Sequence, residues 1–232
     1  MNPKGNVWWI GGKKDTGKSF EALKIAEYFR KREVNPKRTI IFDHTFNNST
    51  YHGIQIIDIK DLDYVLPKKA SVRVQTTDWR LFIEKCFKIK NAVIIFDDVT
   101  AIFRGNIPDV LLTLCGKAKN ERLEIMFQFH TINETAPSLI RASDMMVIKQ
   151  TLDSLPVKSS CRENVLISHI IQDCRTENKS LPEKKKYATR LLDTVDDKIY
   201  IKKLGEEKFE NSYIDFIEID DYKMEKGISK TL

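Results

Sequence analysis

Eight residues near the start of the chain, GKKDTGKS from Gly12 to Ser19, follow the spacing G-x-x-x-x-G-K-[ST]. Such a loop can hold phosphate, because its glycines let the backbone curl until successive N–H groups point at anionic oxygens. Lys18 is placed to reach the β- and γ-phosphates of a nucleotide, and Ser19 to offer its hydroxyl to Mg²⁺. Gly12, Lys13, Lys14, Asp15, Thr16, Gly17 and Phe20 complete the expected contact set for ATP. Further along, VIIFDD ends an apolar run in Asp97 and Asp98. An Asp at the end of a buried strand is the usual second holder of Mg²⁺ opposite a phosphate loop, the role expected of Asp97. Asp98 would then stand at the mouth of the sheet, where a carboxylate can polarise the attacking water.

This chemistry needs a strand before the loop and a helix after it, and the sequence supplies both. NVWWIGG (6–12) reads as a buried strand running into a turn. From Ser19 to about Arg32, Ala22, Leu23, Ala26 and Phe29 recur on one face of an amphipathic helix. Strands are expected at 38–44, 54–59, 71–76, 91–100, 123–131 and 144–150. Helices are expected at 78–90, with Asp78 as N-cap, at 108–120, with Pro108 in the first turn, and at 136–143. Alternating strands and helices predict an α/β fold: a mostly parallel central sheet flanked by helices. After Gln150 the chain becomes polar and turn-rich, with a helix read in ENVLISHIIQ and strands in KIYIKKL and YIDFIEI. The expected organisation is a core over 1–150 and a small C-terminal elaboration over 151–232, ending in a flexible tail from Tyr222.

The 232 residues carry a formal charge of +6, 41% hydrophobic and 31% charged residues, which suits a soluble globular protein able to meet nucleic acid or an acidic partner. No apolar run is long enough to span a bilayer, and the N-terminus lacks a signal-peptide pattern, so a cytoplasmic location is expected. Cys86, Cys115, Cys161 and Cys174 lie far apart without zinc-ligand spacing and read as reduced thiols. Trp8, Trp9 and Trp79 read as packing residues.

The order of these elements resembles the HerA–FtsK superfamily of P-loop ATPases, with a RecA/FtsK-like core. Within it, the chain is similar to the small genome-packaging ATPases of tailless viruses with double-jelly-roll capsids. The resemblance rests on IGGKKDTGKS, IIFDH, VIIFDDVTAIF and the segment AKNERLEIMFQFHTINETAPSLIRASDMMVI, and it covers residues 6 to 150. It implies ATP hydrolysis coupled to DNA translocation into a preformed capsid, with Mg²⁺. Partners implied are DNA gripped through its phosphates and a capsid vertex or portal protein, at a packaging vertex in the host cytoplasm. The active form implied is a homo-oligomeric ring, the nucleotide-free form a monomer. Two positions depart from the family. Asp98 stands where Glu is usual, and His130 stands where the sensor Gln is usual, with Gln128 two residues earlier on the same strand face.

In this superfamily a basic residue of one subunit completes the site of the next. The positions that match are Lys119, Arg122 and Arg141. Lys117, Lys119 and the run Lys184-Lys185-Lys186 are candidates for sequence-independent phosphate contacts in a DNA channel. Three other readings fit a phosphate loop: a Zot-like phage morphogenesis ATPase, a P-loop kinase and a nucleotide switch. The first usually carries a membrane span. The second needs an arginine-rich lid, and the region after Gln150 offers only Arg162, Arg175 and Arg190.

Overall fold

The computed structural model describes residues 4–46, 48–161, 163–182, 187–202, 216–219 and 222. Seven parallel strands come first in sequence: β1 (Val7–Gly11), β2 (Arg38–Phe42), β3 (Gln55–Ile57), β4 (Ser71–Val74), β5 (Ala92–Phe96), β6 (Glu124–Phe129) and β7 (Met145–Lys149). Three antiparallel strands follow: β8 (Thr189–Asp193), β9 (Lys198–Lys202) and β10 (Phe216–Glu218). All ten join one sheet in the order β10-β9-β8-β7-β1-β6-β5-β2-β4-β3.

Both faces of the sheet are covered, which is why its strands read as apolar runs rather than alternating patterns. On one face, α1 (Lys18–Lys31) lays Ala22, Ile25, Ala26 and Phe29 against Trp8, Ile10, Ile41, Val93, Ile95 and Met126. On the other, α2 (Trp79–Cys86), α3 (Asp109–Glu121), α4 (Pro137–Ala142) and α5 (Asn164–Ser180) cover Trp9, Ile40, Ile94, Phe96, Ile125 and Phe127. Trp8 and Trp9 are wholly buried, and their Nε1 atoms donate to Glu124 Oε2 at 2.8 Å and Thr135 Oγ1 at 3.1 Å. Trp79 packs edge-on against Phe103. All four cysteines are buried and none of them forms a disulfide.

The structure adjusts several sequence expectations. Pro108 is the N-cap of α3 rather than part of its first turn, while Asp78 caps α2 by accepting from the Leu81 N–H. The strand expected over 54–59 shrinks to Gln55–Ile57 at the sheet edge, because Asp58 caps a 3₁₀ turn over Ile59–Asp63. The helix in ENVLISHIIQ runs on to Ser180, and β8 was not foreseen. TRLLD buries Thr189, Arg190 and Asp193 beside its two leucines, so it shows neither the alternation of a half-buried strand nor the apolar run of a covered one. After Gln150, α5 and the three antiparallel strands extend the main sheet. The run Lys184 to Lys186, Arg162 and residues 223–232 of the expected tail lie outside the described residues, whereas Tyr222 is buried. No helix among the described residues is long and apolar enough to cross a membrane.

Candidate nucleotide site

At the end of β1 the chain leaves the sheet, tied by Gly12 N–H to Phe129 O (3.1 Å) and Lys13 N–H to Gln150 O (2.7 Å). It then turns through Asp15 and Gly17, both with positive φ (63° and 76°), and enters α1. Gly17 is the N-cap residue and its left-handed backbone suits glycine. Gly12 is required for a different reason: a Cβ there would stand 2.5 Å from Thr16 Oγ1 and 2.9 Å from Lys149 Cβ. Thr16 is buried, and its hydroxyl staples the loop by donating to Lys13 O at 2.8 Å.

Lys18 is only 8% exposed. Its ammonium donates to Gly12 O (2.8 Å), Lys13 O (3.2 Å) and His130 Nδ1 (3.1 Å), which occupies its three protons. Burial lowers its pKa to about 8, partly countered by the charges of Asp98, Asp97 and Asp15. One residue on, Ser19 Oγ lies 3.0 Å from both Asp97 Oδ1 and Gln128 Oε1. Burial pushes the Asp97 carboxyl upward, and hydrogen bonds from Asn48, Tyr51 and Ser19 oppose that shift. A hydroxyl and a carboxylate converging in this way are oxygen donors of the kind Mg²⁺ takes, so Ser19 and Asp97 fit the role of holding it.

Two members of this cluster went unnoticed in the sequence. Asn48 Nδ2 donates to both Ser19 Oγ and Asp97 Oδ2 at 2.9 Å. Tyr51 donates its hydroxyl to Asp97 Oδ1 (2.7 Å) and accepts from Gln128 Nε2 (3.0 Å). Both sit on the loop after β2, which Asp43 anchors by accepting from Phe46 N–H (3.1 Å) and buried Arg73 Nε (2.7 Å). The available signal was position: a polar loop at the carboxyl end of a parallel strand is where α/β sheets bind ligands.

Asp98 also has positive φ (40°), unusual for a residue other than glycine. Its carboxylate meets His130 Nε2 at 3.0 Å, and Thr100 Oγ1 donates to it at 3.3 Å. Because Nδ1 of His130 accepts from Lys18, a neutral ring carries its proton on Nε2 and gives it to Asp98. Burial opposes ionisation of Asp98, but the His130 hydrogen bond and the nearby charges hold its carboxyl below the usual range. His130 therefore links Lys18 to Asp98, while Gln128 sits one strand-face step deeper beside Ser19.

Lys18, Ser19, Asn48, Asp97, Asp98, Gln128 and His130 line a cavity of about 620 Å³, within the usual range for small-molecule sites. Lys14, Asp15, Gly17 and Phe20 also line it, as does Tyr187, which sequence reasoning missed. The remaining basic candidates lie elsewhere. Lys119 and Arg122 sit at the C-terminal end of α3, before β6, and Arg141 in the last turn of α4, before β7. All three are at the edge of the sheet where the parallel strands begin, a strand length of roughly 17 Å from the loop at the opposite edge. Lys119 pairs with Asp144 at 3.0 Å, and Lys117 donates to Phe87 O at 3.1 Å.

No protein-family model and no curated protein sequence matches the chain. Among solved structures, the genome packaging NTPase B204 from Sulfolobus turreted icosahedral virus 2, in complex with sulfate, matches with a TM-score of 0.62 at 15% identity. That match covers 90% of this chain and 100% of that one. The same NTPase in complex with ATP-gammaS gives a TM-score of 0.59 at 15% identity, over 87% and 97% of the two chains. B204 described as the DNA-packaging ATPase from Sulfolobus Turreted Icosahedral Virus gives 0.57 at 18% identity, over 87% and 98%. These likenesses show the fold, which is that of a P-loop NTPase. Coverage of 90% cannot be reached with residues 1–150 alone, so the likeness extends past the stretch carrying the sequence resemblance.

Proposed function

We propose that this chain is an ATP-hydrolysing subunit of a DNA-translocating ring, of the HerA–FtsK type that drives a genome into a preformed capsid. The observation that carries the nucleotide half of this reading is the convergence of Lys18, Ser19, Asp97, Asp98 and His130 on one cavity above a helix N-terminus. The loop N–H groups and Lys18 bind the phosphates. Ser19 and Asp97 would hold Mg²⁺, which would supply positive charge to offset that of the phosphates. Asp98 takes the position of the base that orients the attacking water, and His130, bonded to both Lys18 and Asp98, reports on the γ-phosphate. When the phosphate draws Lys18 away from His130, the His130–Asp98 hydrogen bond is free to rearrange.

The translocation half rests on where the basic residues stand. Lys119, Arg122 and Arg141 are a strand length from the chain's own loop, so any of them that touches a γ-phosphate does so on another copy. The likeness in fold to a genome packaging NTPase supports the same reading. In this scheme residues 1–150 form the motor core, 151–232 elaborate it, and the ring sits at a capsid vertex. The test is ATP turnover with and without double-stranded DNA, followed by mixing of inactive variants. Lys18→Ala and an Ala variant at Lys119, Arg122 or Arg141 should each be inactive alone. Mixed, they should recover part of the DNA-stimulated rate. Absence of DNA stimulation, or of recovery in assemblies shown to mix, would leave an ATPase that is not this motor.

A further inference from the structure

The phosphate loop accounts for one end of a nucleotide; the cavity lining also includes aromatic rings that the phosphates do not need. Apart from His130, hydrogen-bonded at both ring nitrogens, the aromatic lining residues are Phe20 and Tyr187. Both rings are open to solvent, Phe20 at 56% and Tyr187 at 41%. The Tyr187 ring lies against the N-cap of α1: a Cβ on Gly17 would meet its Cδ1 at 3.5 Å. Phe20 stands in the first turn of α1 and lines the same cavity. The two rings thus flank the start of α1, beside the anion site. The other lining side chains carry no aromatic ring on which a base could stack.

Tyr187 is also firmly mounted. Thr189 Oγ1 donates to Tyr187 O (2.6 Å) and accepts from buried Lys149 (2.7 Å), whose Cβ is the atom crowding Gly12. Ala188 N–H donates to Asn178 Oδ1 (3.0 Å), and Asn178 Nδ2 donates to Gln150 Oε1 (3.0 Å). Gln150 O is the acceptor that ties down Lys13. The backbone around Tyr187 is therefore pinned to the same end of β7 that supports the phosphate loop. The backbone that carries the ring is thus ordered before a ligand arrives.

We propose that Tyr187, contributed by the chain after Gln150, forms with Phe20 the stacking platform for the base of the bound nucleoside triphosphate. The assignment rests on the nucleotide reading above. It makes the C-terminal region part of the ligand site.

The test compares binding of ATP and of tripolyphosphate, which has the anionic groups but no base, by titration calorimetry. Base–aromatic stacking removed by alanine substitution predicts that Tyr187→Ala weakens ATP by about tenfold. Tripolyphosphate should change less than twofold, at an unaltered melting temperature. Tyr187→Trp should keep ATP affinity, with fluorescence quenched by ATP and not by tripolyphosphate. Equal losses for both ligands would mean that Tyr187 merely supports the loop. ATP bound as tightly by Tyr187→Ala as by the parent chain would remove Tyr187 from the site. Either result overturns the platform while leaving the phosphate site intact. Failure of the unaltered chain to bind either ligand, or unchanged binding by Lys18→Ala, would overturn the nucleotide reading and the platform with it.

Discussion

Raising the pH should strip the charge from Lys18 within the range where the fold is stable, and nucleotide affinity should follow. Burial lowers the Lys18 pKa from its ordinary 10.5 to about 8. With that pKa about nine ammonium groups in ten are protonated at pH 7 and about one in ten at pH 9. Phosphates bind the charged form and raise its pKa, so binding at pH 9 must first restore the missing proton. The expected result is a Kd about tenfold weaker at pH 9 than at pH 7, with nearly one proton taken up per nucleotide at the higher pH. Calorimetry in buffers of different ionisation enthalpy reads both quantities. Lys18→Arg supplies the control, since a guanidinium stays charged throughout: its affinity, even if lower, should be flat over this range. A flat profile in the parent chain, or the same slope in Lys18→Arg, would show that Lys18 is not the titrating countercharge.

The same shift has a stability consequence. Below pH 8 the folded chain carries a buried charge that costs more folded than unfolded, and this cost fades as pH rises from 8 towards 10.5. Lys18→Met should therefore melt higher than the parent at pH 7, by up to about 3 kcal/mol, and lose that advantage at pH 10. Asp98→Asn should keep nucleotide affinity and lose turnover, because Ser19 and Asp97 remain paired at 3.0 Å; turnover surviving in that variant would move the base elsewhere. Asp98→Glu restores the residue usual in the resembled family and should keep or raise the rate. Lys37→Met strands buried Glu124, now bonded to Lys37 at 2.5 Å, and should destabilise the fold by about 3–5 kcal/mol in denaturant titrations. A loss under 1 kcal/mol there would mean that Trp8 and Asn6 suffice to hold the carboxylate.

The sequence determined the local pieces of this site. The glycines, Lys18 and Ser19 act through a loop closed within eight residues, and the short β-branched apolar run before Asp97 has the length and composition of a buried strand. Local pattern likewise located α1 to α4, through their helical repeat, and the parallel strands, through short apolar runs bounded by turn residues. Strand order lay beyond it. The sheet sets β6 between β1 and β5, and that placement brings Gln128 to Ser19 and His130 to both Lys18 and Asp98. Nothing local in FQFH specifies those partners, since pairing depends on which apolar surfaces fit across the sheet. Asn48 and Tyr51 were invisible for a related reason: a polar loop carries no period, and contacts from distant Arg73 and Gln75, among them the Asp43–Arg73 pair 30 positions apart, hold it over Asp97. Tyr187 is the extreme case. It reaches Gly17 because β8 adds antiparallel to β7, beside the strand that feeds the phosphate loop, and sheet edges are joined by tertiary hydrogen bonds that no short stretch of sequence encodes.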